Sequence, residues 1–238
     1  LEFSARGALP GVAFAGERCR GVVEGFVDRV DVWQSGGRPY VRVVDYKTGK
    51  KSFDYTNVLH GRGLQMLLYL FALVRQGGHL LHGEPLPAGV LYFPARIERV
   101  SVRDRLAQAE IEKERRKQLR RSGVLLNSDP VLEAMEPCGG SPRFLPYTLD
   151  KEGRKTGDLA SFVQLAQLER FVFRTVAALG DELADGCIDP DPCIRDAKDS
   201  ACAFCPYSEI CAGHEQPRWL KKITAEEFWQ TLERREHG

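Results

Sequence analysis

"YVRVVDYKTGKK", residues 40–51, begins like a strand whose one face, Val41 and Val43, enters a core, then breaks its own pattern with Asp45 and Lys47. Residues i and i+2 of a strand share a face, so Asp45 and Lys47 project together while Tyr46 points to the other side. A salt-bridged strand end at the surface would satisfy such a pair. The preceding "EGFVDRVD", residues 24–31, widens the choice by adding Glu24, Asp28 and Asp31 on a neighbouring strand. Carboxylates and a lysine on adjacent strands suit hydrolysis of a phosphodiester. Hard carboxylate oxygens hold Mg²⁺ while leaving waters in its shell, and the metal activates a water and offsets charge developing on the phosphate. Asp28 and Asp45 are the expected metal ligands. Lys47 would orient or help deprotonate the water and stabilise the transition state.

Composition bounds the rest. With 238 residues, 43% hydrophobic and 28% charged, the chain can bury one sizeable core. A formal net charge of +1 gives no whole-chain signature of a nucleic-acid partner, so any basic surface has to be local. No apolar run approaches the roughly 20 residues of a membrane span, and no signal peptide opens the chain, so a cytoplasmic protein is expected. The first residue is Leu1 rather than methionine, and we expect a piece of a longer polypeptide. No phosphate loop of the G-x-x-x-x-G-K-[ST] type is present.

The pattern predicts strands over about 20–33 and 39–47, joined at Ser35-Gly36-Gly37 as an antiparallel hairpin. A helix over about 62–76 follows, stopped by Gly77-Gly78. "PAGVLYFPARIERV" reads as a third strand, with Pro94 suggesting an edge or a bulge. Residues 102–121 form a charged helix with eight Lys/Arg against four acids, which reads as a solvated face or a phosphate-contacting one. An apolar-striped helix spans 158–184, and a last helix starts at a capping box, Thr224 and Glu227. On the helix after the acid-x-Lys strand, Gln65 and Tyr69 are spaced i, i+4, as polar exceptions that either cap a buried tyrosine or wall a site.

Taken in order, Gly25-Phe26-Val27-Asp28, Asp45-Tyr46-Lys47 and Gln65-x-x-x-Tyr69 resemble the PD-(D/E)xK nucleases of the RecB type. Within them the chain is similar to AddB-type nuclease domains of ATP-dependent helicase–deoxyribonucleases. "EKERRKQLRRSGVLLNSDPVLEAM", residues 112–135, resembles the insertion of that group. The resemblance implies an α/β restriction-endonuclease-like core, a mixed sheet flanked by helices. It places the first metal-binding acid on Asp28, the second on Asp45 and the catalytic lysine on Lys47, with Mg²⁺ or Mn²⁺ as the metal. A metal-binding histidine upstream of the first acid also belongs to the pattern, whereas the first histidine here is His60.

Of seven cysteines, Cys19 and Cys138 stand alone and Cys187, Cys193, Cys202, Cys205 and Cys211 crowd the last quarter; an odd number at such spacings in a cytoplasmic chain favours metal ligation over disulfides. Cys202-x2-Cys205-x5-Cys211 resembles the three C-terminal cysteines that bind a [4Fe-4S] cluster in the same group, stapling the tail to the domain. The fourth ligand is expected outside this piece. A structural Zn²⁺ on Cys202, Cys205, Cys211 and His214 is the alternative.

The expected organisation is one nuclease domain over 1–238. It comprises a catalytic core at 14–100, an insertion with the basic helix at 101–157, a helix plus cysteine cluster at 158–215, and a C-terminal helix at 216–238. The implied function is Mg²⁺-dependent cleavage of one unwound DNA strand during double-strand-break processing and recombination. The implied partners are DNA and an AddA-type helicase–nuclease subunit in a heterodimer, with no membrane. A CRISPR-associated adaptation nuclease shares the core and the three-cysteine tail but is shorter through 102–157. A non-catalytic DNA-end-binding domain is the reading from a different class.

Overall fold

The computed structural model describes residues 1–49, 51–99, 108–195, 200–211 and 217–237. An N-terminal group of short strands comes first: β1 (Glu2–Phe3), β2 (Val12–Ala15), β3 (Arg20–Val23) and β4 (Gly25–Phe26). β2 pairs antiparallel with β3, and β1 with β4. The hairpin β5 (Arg29–Ser35) and β6 (Arg38–Lys47) follows. Its turn is Gly36-Gly37, with φ +58° and +75°, the left-handed pair that a two-residue hairpin loop demands.

After β6 come α1 (Tyr55–Leu59), α2 (Gln65–Gln76), α3 (Gly78–Leu81), β7 (Leu86–Pro94), α4 (Gln108–Gln118), β8 (Ser122–Leu126) and α5 (Asp129–Met135). The hairpin β9 (Tyr147–Leu149) and β10 (Lys155–Gly157) precedes β11 (Leu159–Ala160) and the long α6 (Phe162–Ala184). The tail holds β12 (Cys193–Ile194), a 3₁₀ turn (Ala201–Phe204), β13 (Arg218–Trp219) and α7 (Ala225–His237).

The central sheet runs β11-β8-β7-β6-β5 and is mixed, with β6 and β7 parallel, β8 and β11 parallel, and the other neighbours antiparallel. Helices flank it. Strand alternation sends Val41, Val43, Val90 and Val124 to one face, where they join Leu67, Leu70 and Phe71 of α2 and Leu165 and Leu168 of α6. Leu91 and Leu125 face the other way and pack with Leu132, Leu145 and Tyr147. α7 closes the larger core, its Phe228 and Trp229 clustering with Tyr55. The capping box expected at its start is present: Glu227 N–H donates to Thr224 Oγ1 at 3.2 Å, and Thr224 N–H to Glu227 Oε2 at 2.7 Å. Among the described residues no helix is long and apolar enough to cross a membrane.

Three expectations change. The strand expected over 20–33 is three strands, because the chain changes partners along it: β3 lies on β2, β4 on β1 and β5 on β6. β7 is central, between β6 and β8, and not an edge; Pro94 ends it, where a missing N–H breaks no ladder, and the register shift falls earlier, opposite Val41 and Arg42. Part of the segment assigned to an insertion, Ser122–Leu126, is β8, inside the sheet. The charged helix is seen as α4 from Gln108; the earlier part of 102–121 lies outside the described residues.

Candidate active site

Asp45 and Lys47 close β6 on the face that carries Val41 and Val43, so the strand delivers them to the rim of the larger core. The Lys47 ammonium stands 2.7 Å from Asp45 Oδ2. That carboxylate oxygen is buried and has no hydrogen bond, so the lysine pairs with it by charge but off the lone-pair direction. Tyr92 is beside Asp45 in the parallel register of β7. Burial, then the Asp45 charge, pushes the Tyr92 hydroxyl up from its ordinary value.

Asp28 lies in the gap between β4 and β5, where the chain switches sheets and neither ladder claims it. The Tyr46 backbone N–H donates to Asp28 Oδ2 at 3.0 Å, which draws this carboxylate to the end of β6. The gap is pinned by Val27, 4% exposed, whose N–H and carbonyl bond Leu1 at 2.7 and 2.8 Å. Asp45 and Lys47 thus pair at the end of β6, and Asp28 reaches the backbone of Tyr46 between them.

Gln65 and Tyr69 sit at the start of α2, with Gln65 Nε2 donating to the Tyr69 hydroxyl at 3.3 Å. Gln65 is exposed. Tyr69 is buried, stacked on Phe3 with ring centroids 5.5 Å apart and planes 4° apart. Its hydroxyl occupies the place a Cβ on Gly25 would take, so the glycine of "GFVD" is what lets α2 seat against β4, just ahead of Asp28.

Asp31 faces the opposite side of the sheet from Asp45. It pairs with Arg42 directly across the hairpin and with Arg29 at 2.5 Å. Burial alone would raise its carboxyl; the two guanidiniums overcome that and leave it below its usual value. His60 caps the end of α1, its imidazole lowered by burial and by the charges of Arg218 and Arg235 from the C-terminal segment.

Carboxylates are the donors a hard divalent cation takes, typically one or two of them with waters and substrate oxygens for the rest, so Asp45 and Asp28 at the end of β6 are of the right chemistry to hold one. The buried Asp45 oxygen, which has the Lys47 charge beside it but no hydrogen bond, is the feature such a cation would satisfy. Among the described residues, no three His, Cys, Asp or Glu side chains gather as a metal-binding group. Cys202, Cys205 and Cys211 are half-buried, and the structure does not bring them together as a ligand set. Cys202 and Cys205 share the 3₁₀ turn, closed by Cys205 N–H on the Cys202 carbonyl at 3.2 Å. None of the seven cysteines forms a disulfide, and His214 lies outside the described residues.

Sequence reasoning missed Tyr92, Lys51 and Arg96 at the site. Tyr92 and Arg96 reach it only because β7 pairs in parallel with β6 across α2, a long-range fact with no local signature. Lys51 follows the acid-x-Lys strand directly, and its place in a positive run was the available signal.

The chain is 36% identical over 214 residues to the AddB component of the ATP-dependent helicase/deoxyribonuclease of Moorella thermoacetica, covering 88% of this chain and 18% of that protein. The corresponding protein of Clostridium perfringens is 30% identical over 226 residues, covering 91% of this chain and 19% of its own length. That of Oceanobacillus iheyensis is 30% identical over 197 residues, covering 80% and 17%. The chain thus spans less than a fifth of the length of these relatives. The family model of the PD-(D/E)XK nuclease superfamily matches residues 4–212, from β1's end through the cysteine tail, and the chain belongs to that superfamily.

Proposed function

We propose that this domain hydrolyses DNA phosphodiester bonds with Mg²⁺ or Mn²⁺ held by Asp28 and Asp45. The observation that supports it best is the buried Asp45 oxygen without a hydrogen bond, beside Lys47, at the strand end where Tyr46 N–H holds the Asp28 carboxylate. A buried carboxylate oxygen that has the Lys47 charge but no hydrogen bond is incompletely satisfied, and a bound cation would complete it. The cation, when bound, lowers the pKa of water and offsets charge on the phosphate. Lys47 orients the attacking water or takes up its proton, and its charge lies where the phosphoryl oxygens become more negative. Tyr92, buried and opposite Asp45 in the register of β7, would limit water on that side. Tyr69 acts through β4, holding the strand that leads into Asp28. Gln65, exposed at the start of α2, would be free to meet substrate.

The names of the relatives support a wider reading. This domain would serve as the nuclease of an AddB-type protein that cuts one strand unwound by an AddA-type partner during end processing and recombination. Cys202, Cys205 and Cys211 would ligate a [4Fe-4S] cluster, on the softness and spacing of three thiols and not on their placement.

The test is cleavage of end-labelled linear DNA with Mg²⁺, comparing the protein with Asp45→Asn. Loss of metal assistance worth several kcal/mol predicts a rate at least about 10³-fold lower with DNA binding retained. Unchanged cleavage would remove the catalytic assignment and leave a DNA-end-binding domain in its place.

A further inference from the structure

The sheet face turned away from Asp45 carries a second concentration of charge. Four arginines come to it from four segments: Arg29 at the start of β5, Arg42 within β6, Arg121 just ahead of β8, and Arg143 ahead of β9. The Arg29 and Arg121 guanidiniums stand 5.9 and 4.0 Å from the centre of the Phe93 ring. Those of Arg121 and Arg143 stand 5.6 and 5.9 Å from the centre of Phe144. Asp31 accepts from Arg29 Nε at 2.5 Å and from both Nε and Nη2 of Arg42. Arg29 Nη1 also donates to the Tyr46 hydroxyl at 3.0 Å.

Asp31 and the two arginines it holds have an ordinary explanation, since they tie β5 to β6 across the hairpin. It does not extend to the rest. Arg42 is 9% exposed, and its buried Nη1 has no hydrogen-bond partner among the described residues. Arg121 is half-buried and has no carboxylate in ion-pair reach among the described residues. Burial, then the Arg42 charge, pulls its guanidinium below the ordinary value, and Glu136 and Asp31 restore only part of that. It remains a cation. Glu136 accepts from the Arg143 and Phe144 N–H groups at 2.6 and 3.2 Å, and Glu112 of α4, which feels Arg143, is matched by Arg116 at 2.6 Å. Four guanidiniums thus meet two carboxylates, Asp31 and Glu136, and two positive charges are left over beside a buried donor with no acceptor. Folding gains nothing from such an excess; it concentrates an anion. A carboxylate or a phosphodiester brings one negative charge, whereas a phosphate monoester brings nearly two on three strong acceptor oxygens, which forked guanidiniums match.

We propose that Arg29, Arg42, Arg121 and Arg143 form a binding site for a phosphate monoester dianion, of the class of a free mononucleotide, on the sheet face opposite the catalytic acids. Phe93 and Phe144 back the guanidiniums, and Tyr46, 44% exposed, offers an aromatic edge beside them for a base. Tyr46 also ties the site to the other face, because its hydroxyl accepts from Arg29 while its N–H holds Asp28. Neither the site nor its test depends on the hydrolytic reading.

The experiment titrates deoxyadenosine monophosphate into the intact protein by calorimetry, in chelator and at constant ionic strength. The parent is compared with Arg121→Gln and with Arg20→Gln, an exposed cation on β3. Losing one charged donor should weaken binding at least about tenfold in Arg121→Gln, and Arg20→Gln should bind like the parent. The second proton of a phosphate monoester leaves near pH 6, so a site for the dianion loses about tenfold in affinity between about pH 7.5 and about pH 5. Sulfate, doubly charged throughout that range, should compete with little change in its own affinity and so corrects for titration of the protein. Deoxyadenosine, without the phosphate, should not compete. Parent-like binding by Arg121→Gln overturns the site, and an affinity flat in pH, or equal competition by deoxyadenosine, overturns the dianion as its ligand. Should Arg121→Gln melt early, Arg143→Gln, at an exposed position, carries the test: roughly threefold weakening is expected, and unaltered affinity refutes the site.

Discussion

Gly25→Ala tests how the fold keeps Asp28 in place. Gly25 lies on β4 with a backbone conformation open to any residue, so alanine strains nothing locally. Its added methyl would run into the Tyr69 hydroxyl and stand 2.9 Å from Tyr69 Cζ. Tyr69 cannot retreat: it is 6% exposed and lies flat on Phe3, itself fully buried. The displacement therefore falls on β4, the strand that leads into Asp28. Overpacking of this kind costs about 1–3 kcal/mol. In a domain of this size each kcal/mol lowers Tm by roughly 2–4 °C. The rate should suffer more, because a shift of about 1 Å in a catalytic group costs about 10²-fold. Tyr69→Phe removes the oxygen that collides, so in the Gly25→Ala background it should recover part of the loss, a coupling of about 1 kcal/mol. Recovery is partial because the contact with Cζ remains. Thermal unfolding and Mg²⁺-dependent cleavage of end-labelled DNA read both effects. A Gly25→Ala protein that melts and cuts like the parent would refute the reasoning, as would Tyr69→Phe adding its full cost on top.

Other outcomes follow from the same geometry. Asp31→Asn leaves Arg42, 9% exposed, without its carboxylate, and should cost about 2 kcal/mol in denaturant unfolding once partial exposure is discounted from the buried-pair range; no loss would mean the pair is idle. Asp158 is held above the usual carboxylate value by burial, which the nearby Tyr55 hydroxyl offsets only in part. Its folded state binds the proton more tightly than the unfolded one, so its contribution is full below about pH 4 and is lost as pH rises through the folded pKa. Asp158→Asn should remove that decline from a pH series of unfolding free energies, and an unaltered profile would count against a raised carboxyl. The intact protein prepared without oxygen is expected to carry iron and acid-labile sulfide that Cys205→Ser removes; zinc without sulfide would instead establish the zinc alternative.

What could be read from the sequence was whatever a local spacing fixes. β6 showed in its alternation, the β5–β6 hairpin in its paired glycines, and α7 in the Thr224–Glu227 box. Asp45 and Lys47 were legible for the same reason, since i, i+2 on a strand sets their common face. β8 was not: "SGVLL" is five residues with no period to show, and only its place between β7 and β11 makes it a strand. The division of residues 20–35 was hidden too, because the alternation continues while the pairing partner changes. That hidden change is what sets Asp28 in a gap rather than in a ladder.

The location of the site follows from where the sheet runs out. β6 and β7 end together, with Lys47 opposite Pro94, and the last bond across them is Ala95 N–H to the Lys47 carbonyl at 2.8 Å. Past this bond the β6–β7 register ends, and a cavity lined by Lys47, Pro94 and Arg96 opens instead of a third layer of core. Two residues further back, Val43 and Val90 are buried at 1% and 0% exposure, and a charge there would have no outlet. Two residues further on, Asp45 would be fully in water and Lys47 would have lost the low-dielectric wall that Tyr92 supplies. The end of the sheet is the one place along β6 where a carboxylate keeps a buried oxygen without a hydrogen bond while a lysine beside it still reaches solvent, at 17% and 36% side-chain exposure. A site for phosphate chemistry needs both conditions at once: an acid dry enough to hold a cation tightly, and a base wet enough to meet a water.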